Sequence, residues 1–174
     1  SEARKERYKI FHNFSLKKNL PYVLTAHHKD DQIETFLIRL SRGSGVQGLS
    51  SMSRLSKLSY KSKILRPLLN FEKRELKYIA KKVFGKYLKD PSNKNNKFLR
   101  VKIRGITPIL EKSGIPKDQI IKSIKNLSSS NSLINNYINL IYNSITEKKK
   151  NKIFINFKKI KKETEEVKIK ILNK

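Results

Sequence analysis

Apolar residues in this chain recur mostly at helical spacing, with short β-like runs between. Ile10, Phe11 and Phe14 form an apolar stripe and predict a helix over residues 2–19, which Pro21 breaks. Tyr22 to Ala26 is a short, partly β-branched run and reads as a buried parallel strand. Ile33, Phe36, Leu37 and Leu40 then mark the buried face of a helix with Asp30 or Asp31 as its N-cap. Residues 43–48 are a glycine-bearing loop, and residues 64–69 an extended segment broken at Pro67. A helix over 72–84 turns Leu76, Ile79, Ala80 and Val83 inward and stops at Gly85. A polar loop over 90–96 leads to a short helix over 98–110, interrupted at Gly105 and Pro108. Gly114-Ile115-Pro116 is the boundary candidate. Beyond it lies a helical region whose amphipathic stretch, 131–146, carries Leu133, Tyr137, Leu140, Ile141 and Ile145, with a turn at Ser128–Ser130. Lys148–Lys150 separates this from a last segment rich in Lys and Ile, in which the aromatic–basic interleaving of Lys152 to Lys158 could serve RNA contact but reads more simply as an alternating strand.

Charge changes the picture. The 174 residues hold 41 Lys and Arg against 14 Asp and Glu, a formal charge of +27, which points to a polyanionic partner. Part of that excess has a blander source: Lys, Asn and Ile together make 68 of the 174 residues, as an AT-rich coding sequence produces. The absence of cysteine excludes disulfides, Cys-ligated metal sites and thiol nucleophiles. No apolar run reaches the roughly 20 residues of a membrane span, no secretory signal opens the sequence, and a cytoplasmic location without a membrane partner is the expectation.

Gly43-Ser44-Gly45-Val46-Gln47-Gly48 fits the dinucleotide-binding spelling, but it follows a helix where that motif must follow a strand. It reads as a loop for close backbone approach. Arg39 and Arg42 beside it could hold phosphate, or could be cations at a helix end. The densest chemistry is His27-His28-x-Asp30-Asp31-x-x-Glu34, just past a strand, at the sheet edge where open α/β folds place ligands. Asp31 and Glu34, three apart, share a helix face. Two acids there could hold Mg²⁺ or receive a substrate ammonium, or they could simply suit a helix's first turn. Adjacent histidines with no cysteine make a poor zinc set, and no metal ligand is assigned.

Thr25 to Thr35, continued through Arg39 to Leu49, resembles the signature of tRNA(Ile)-lysidine synthetases. Glu2 to Tyr8, Arg66-Pro67-Leu68-Leu69 and Asp90-Pro91-Ser92-Asn93 resemble flanking family segments. Arg100-Val101-Lys102-Ile103-Arg104 resembles an Arg-Asn-x-Ile-Arg segment with Val101 in place of Asn. The resemblance covers residues 2 to about 112 and is only compatible beyond 115.

This resemblance implies an α/β fold: a partial doubly wound parallel sheet, of the adenine nucleotide alpha hydrolase kind, followed by a mainly helical domain. Residues 1–114 would be the C-terminal part of an ATP pyrophosphatase domain, and 115–174 a helical tRNA-binding domain with the start of a tail. It implies ATP-dependent adenylation of the wobble cytidine in the CAU-anticodon isoleucine tRNA. The ε-amine of free lysine then displaces AMP at C2, with Mg²⁺ accompanying ATP. By resemblance Asp31 and Glu34 serve lysine recognition and catalysis, Arg4, His27 and His28 lie by the nucleotide, and Arg104 contacts substrate. The family is often dimeric. Its Ser-Gly-Gly-x-Asp-Ser phosphate loop has no counterpart here, since no Gly-Gly pair occurs among six glycines. The expectation is a fragment, or the product of a split or decaying gene, that does not bind ATP productively alone. Two other readings stay open: another tRNA-modifying enzyme of the superfamily, with Cys-dependent thiolation disfavoured, and a non-catalytic basic RNA-binding remnant.

Overall fold

The computed structural model describes residues 2–87, 98–150 and 152–174; the polar loop expected over 90–96 lies outside them. Helix α1 (Glu2–Lys17) ends where Asn19 takes a left-handed φ of 51° and Leu20 N–H donates to Ser15 O at 2.8 Å. Of its expected apolar stripe, Ile10 and Phe14 are exposed and Phe11 is half-buried. The buried residue of α1 is Ser15, whose Oγ lies 2.9 Å from Ser62 Oγ.

Strand β1 (Tyr22–Leu24) runs parallel to β3 (Lys63–Leu65), and β2 (Leu55–Lys57) pairs antiparallel on the other side of β3. The order β1-β3-β2 makes Ile64 the buried centre, facing Val23 and Ser56. β1 is parallel as expected but not buried: Tyr22 and Leu24, which share one face of the sheet, are exposed, and Val23 is half-buried. The sheet is mixed, with one parallel and one antiparallel pair, and these strands do not show the expected doubly wound order. β2 carries no periodic signal and was not foreseen.

Helix α2 (Lys29–Leu40) follows β1, and the short α3 (Val46–Leu49) grows from the glycine loop. Helix α4 (Lys73–Phe84) stops at Gly85, φ 70°, as its sequence predicts. Of its four residues expected inward, Leu76 and Ala80 are half-buried, whereas Ile79 and Val83 are exposed. Helix α5 (Leu99–Lys112) runs unbroken through Gly105 and Pro108. A proline inside a helix costs about 3 kcal/mol. The buried Ile103 and Thr107, one turn apart, hold that stretch against α2 and offset the cost.

Helix α6 (Lys117–Ile145) spans the expected Ser128–Ser130 turn without a break. The three serines cost only a few tenths of a kcal/mol each, while both ends of the helix are anchored. Ile120 and Ile124 pack on Ile33, and Ile138 and Ile145 pack with Ile160 and Ile171. The stripe Leu133, Tyr137, Leu140 faces out, and the stripe Ile134, Ile138, Ile141, Ile145 faces in. Lys148–Lys150 is no separator: it completes β4 (Thr146–Lys149) and enters the turn to β5 (Lys152–Ile155), with Lys150 at φ 52°. Two short helices, α7 (Phe157–Ile160) and α8 (Glu165–Leu172), close the second core. No helix among the described residues is long and apolar enough to cross a membrane.

Candidate active site at the start of the second helix

Past β1 the chain stays extended, tied by Thr25 N–H to Leu65 O at 3.0 Å and by Lys29 N–H to Phe71 O at 2.9 Å. Neither Asp30 nor Asp31 is the N-cap of α2. His28 is, at φ −126° and ψ −178°. Asp31 N–H donates to His28 Nδ1 at 3.4 Å, and His28 N–H donates to Asp31 Oδ2 at 3.0 Å. An imidazole lone pair replaces the usual hydroxyl or carboxylate cap, and the acid sits at the third helical position of a reciprocal box. This fixes the rotation of α2 about its axis and hence where Asp31 points.

Asp31 lines a cleft of about 450 Å³ together with Arg4, Tyr8, Thr25, His27 and Arg100. His27 Nδ1 lies 2.9 Å from Thr25 Oγ1. Burial pushes the His27 pKa below its ordinary value; Asp31 opposes this, and Arg66, Arg100 and Arg4 reinforce it. Arg4 donates to Tyr8 Oη at 3.3 Å and lies 5.0 Å from that ring's centre. The cleft thus joins an acid, a histidine and two arginines contributed by three helices and the loop after β1.

Glu34, one turn along α2, is 4% exposed. Arg104 Nε donates to Glu34 Oε1 at 2.6 Å, and Arg104 Nη2 to Oε2 at 3.4 Å. Arg100 Nε stands 2.9 Å from Oε2 as an ion pair, and its Nη2 donates to Thr35 Oγ1 at 3.4 Å. The hydrogen bond to Glu34 raises the Arg104 pKa against the effect of burial. Glu34 and Arg104 border a smaller cavity of about 180 Å³ with Asp30, Lys73, Thr107 and Lys117. Asp30 Oδ2 accepts from Lys73 N–H at 2.8 Å, and Lys117 Nζ lies 3.4 Å from Asp30 Oδ1, tying α2 to α4 and α6.

The structure therefore brings Arg4, His27 and Asp31 into one cleft, sets Glu34 and Arg104 together behind it, and makes His28 the cap that orients both acids. Arg39 and Arg42 lie elsewhere. Arg39 Nη1 donates to Gly48 O at 2.6 Å and to Ser51 O at 3.0 Å, holding the glycine loop in place. Arg42 is exposed at the end of α2. Arg100 was missed as a site residue, although its spacing of four from Arg104 sets both on one helix face. Buried Arg66, whose Nη1 donates to Ser53 O and Ser56 Oγ at 2.9 Å each, was missed too. Among the described residues no three His, Cys, Asp or Glu side chains converge to hold a metal ion. Glu34 spends both oxygens on arginines, so these residues do not build a magnesium cage.

An acid among arginines at the carboxyl end of a parallel strand is a place for a ligand bearing both anionic and ammonium groups. Residues 1–110 match the model of the PP-loop domain, and the chain belongs to that family. It is 39% identical over 142 residues to the tRNA(Ile)-lysidine synthase of Wolbachia pipientis wMel, covering 82% of this chain and 33% of that protein. It is 40% identical over 159 residues to the enzyme of that name from Wigglesworthia glossinidia brevipalpis, covering 89% of this chain and 38% of that protein. A third such relative, from Francisella philomiragia, is 41% identical over 110 residues. The chain spans about a third of the length of the curated relatives it matches.

Proposed function

We propose that this chain is a portion of a tRNA(Ile)-lysidine synthase, an ATP-dependent carbon–nitrogen ligase that acts in the cytoplasm on the CAU-anticodon isoleucine tRNA. The observation that carries the reading is the cleft in which Asp31 meets Arg4, His27 and Arg100. In this reading β1 and β3 belong to a doubly wound parallel sheet. Residues 1–114 form the C-terminal part of the catalytic domain, and 115–174 a helical tRNA-binding domain. A homodimer is part of the reading.

The chemistry follows from the charges. The wobble cytidine O2 bonds to the α-phosphorus of ATP as the α–β phosphoanhydride bond breaks and pyrophosphate leaves. Arg4 and Arg100 offset phosphate charge at the cleft, and His27 lies beside them, its depressed pKa favouring the neutral ring. The ε-ammonium of lysine finds Asp31, the carboxylate that borders this cleft. Loss of one ammonium proton to a carboxylate base frees the nitrogen lone pair. The new C2–N bond forms as the C2–O bond to AMP breaks. Glu34, clamped by two arginines, holds Arg100 and Arg104 against the substrate side instead of meeting the ammonium itself. Arg42 is available to tRNA phosphate, and Arg39 acts through the loop it pins. Magnesium enters only as the counter-ion of ATP.

The test is transfer of labelled lysine to bulk bacterial tRNA, with ATP and Mg²⁺, by the full-length protein. Incorporation that Asp31→Ala abolishes supports the ligase. Salt-sensitive tRNA binding without incorporation overturns it and favours a protein that only binds RNA.

A further inference from the structure

The hairpin β4–β5 has no buried face. Its alternation of Lys152, Ile153, Phe154 and Ile155 reads as a half-buried strand, yet all four residues are exposed. Phe154 is 52% exposed, and Phe157, at the start of α7, is 76% exposed. The pairing sets Glu147 opposite Phe154 and Lys149 opposite Lys152, which share one face of the ribbon. Phe154 is therefore flanked along that face by Lys149 and Lys152, while Lys148 lies on the other face, opposite Ile153, and Lys158 follows Phe157 in α7. Residues 146–162 hold eight lysines against one glutamate. Among the described residues Lys148, Lys152 and Lys158 meet no acid and donate no side-chain hydrogen bond.

The platform is held firmly from below. Thr146 Oγ1 donates to Tyr142 O at 2.7 Å, and Asn156 N–H donates to Ile145 O at 2.8 Å. Ile145 and Ile160, on either side of the hairpin, are buried in the second core. Lys149 Nζ pairs with Glu147 at 3.2 Å, which leaves Lys148, Lys152 and Lys158 uncompensated. Aromatic faces set among such lysines suit unpaired nucleotides: the rings stack on bases and the ammonium groups neutralise the backbone. A second copy of this chain would bring the same positive charge against itself.

We propose that the β4–β5 hairpin with Phe157 is an RNA-docking surface that takes unpaired nucleotides, stacking bases on Phe154 and Phe157. This deepens the tRNA reading above but does not need lysine transfer to be correct. The experiment measures binding of bulk bacterial tRNA, and of an unstructured RNA of about twelve nucleotides, to the full-length protein by fluorescence anisotropy across a salt series. Phe154→Ala with Phe157→Ala weakens both by about tenfold or more, since each base–aromatic stack lost costs roughly 5- to 150-fold. Phe154→Tyr with Phe157→Tyr restores binding. Neutralising Lys148, Lys149, Lys152 and Lys158 to Gln lowers the salt slope for the short RNA by about 0.7 for each lysine that met a phosphate. Unchanged affinity and slope in both sets overturn the proposal. So does a shift in oligomeric state on Phe→Ala substitution with RNA affinity intact, which assigns the surface to a second copy. Lysine transfer is measured separately from these binding readouts, so failure of the ligase reading shows there and not in them.

Discussion

Arg104 Nε lies 2.6 Å from Glu34 Oε1, a contact between α5 and α2 that spans seventy residues of sequence. It closes one side of the candidate site and compensates the charge of a carboxylate that would otherwise be stranded in the interior. Removing either partner is therefore unequal. Arg104→Ala leaves Glu34 facing Arg100 alone and costs about 2–4 kcal/mol; Glu34→Gln leaves two part-exposed guanidinium groups that water can serve and costs about 1–2 kcal/mol. Urea unfolding of the two variants gives that order.

His27 makes stability depend on pH in a definite direction. Its folded-state pKa is lowered, chiefly by burial, so the unfolded chain binds that proton more tightly. Stability from this group is complete above about pH 6.5 and falls as pH drops through the lower folded value. His27→Gln removes that loss. Urea midpoints at about pH 7.5 and about pH 5.5 differ less for the variant than for the parent protein.

Two isoleucine or leucine truncations test which stripe of the helices is inside. Ile33 is 0% exposed against Ile120 and Ile124, so Ile33→Ala costs about 3 kcal/mol through lost burial and a cavity. Leu133 is 69% exposed on α6, and Leu133→Ala stays within about 0.5 kcal/mol. Denaturant melts of both variants measure the contrast.

In the glycine loop the two ends of the Gly45–Gly48 stretch behave differently. A Cβ at Gly48 would lie 2.6 Å from Ser44 Cβ, whereas one at Gly45 meets nothing within 4 Å. Gly48→Ala costs about 1–3 kcal/mol by overpacking and loosens the carbonyl that Arg39 holds. Gly45→Ala stays within about 0.5 kcal/mol. Thermal midpoints separate them.

The helix starts and stops were legible where the signal is local. Gly85 ends α4 and the Asn19-Leu20-Pro21 run ends α1 because a left-handed residue is a property of a few adjacent positions. The N-cap of α2 was misplaced because histidine is not among the usual capping residues, although it performs the same acceptance through Nδ1. The unbroken α5 and α6 were not legible. Glycine, proline and serine weaken a helix locally, and only packing partners far away in sequence decide whether it survives. On α6 the stripes at Leu133 and Ile134 have the same spacing, so periodicity alone could not choose between them.

The sequence by itself determined the family, the basic character, the placement of Asp31 and Glu34 on one helix face, and the absence of thiol chemistry. Each depends on residue identity or on spacings of a few positions. Tertiary structure alone decided that Arg4, His27, Asp31 and Arg100 share a cleft, that Glu34 is clamped by Arg100 and Arg104, and that Arg39 serves a loop. These relations join elements many tens of residues apart. Their partners are selected by which apolar faces can be buried together, and no local pattern in the chain encodes that choice.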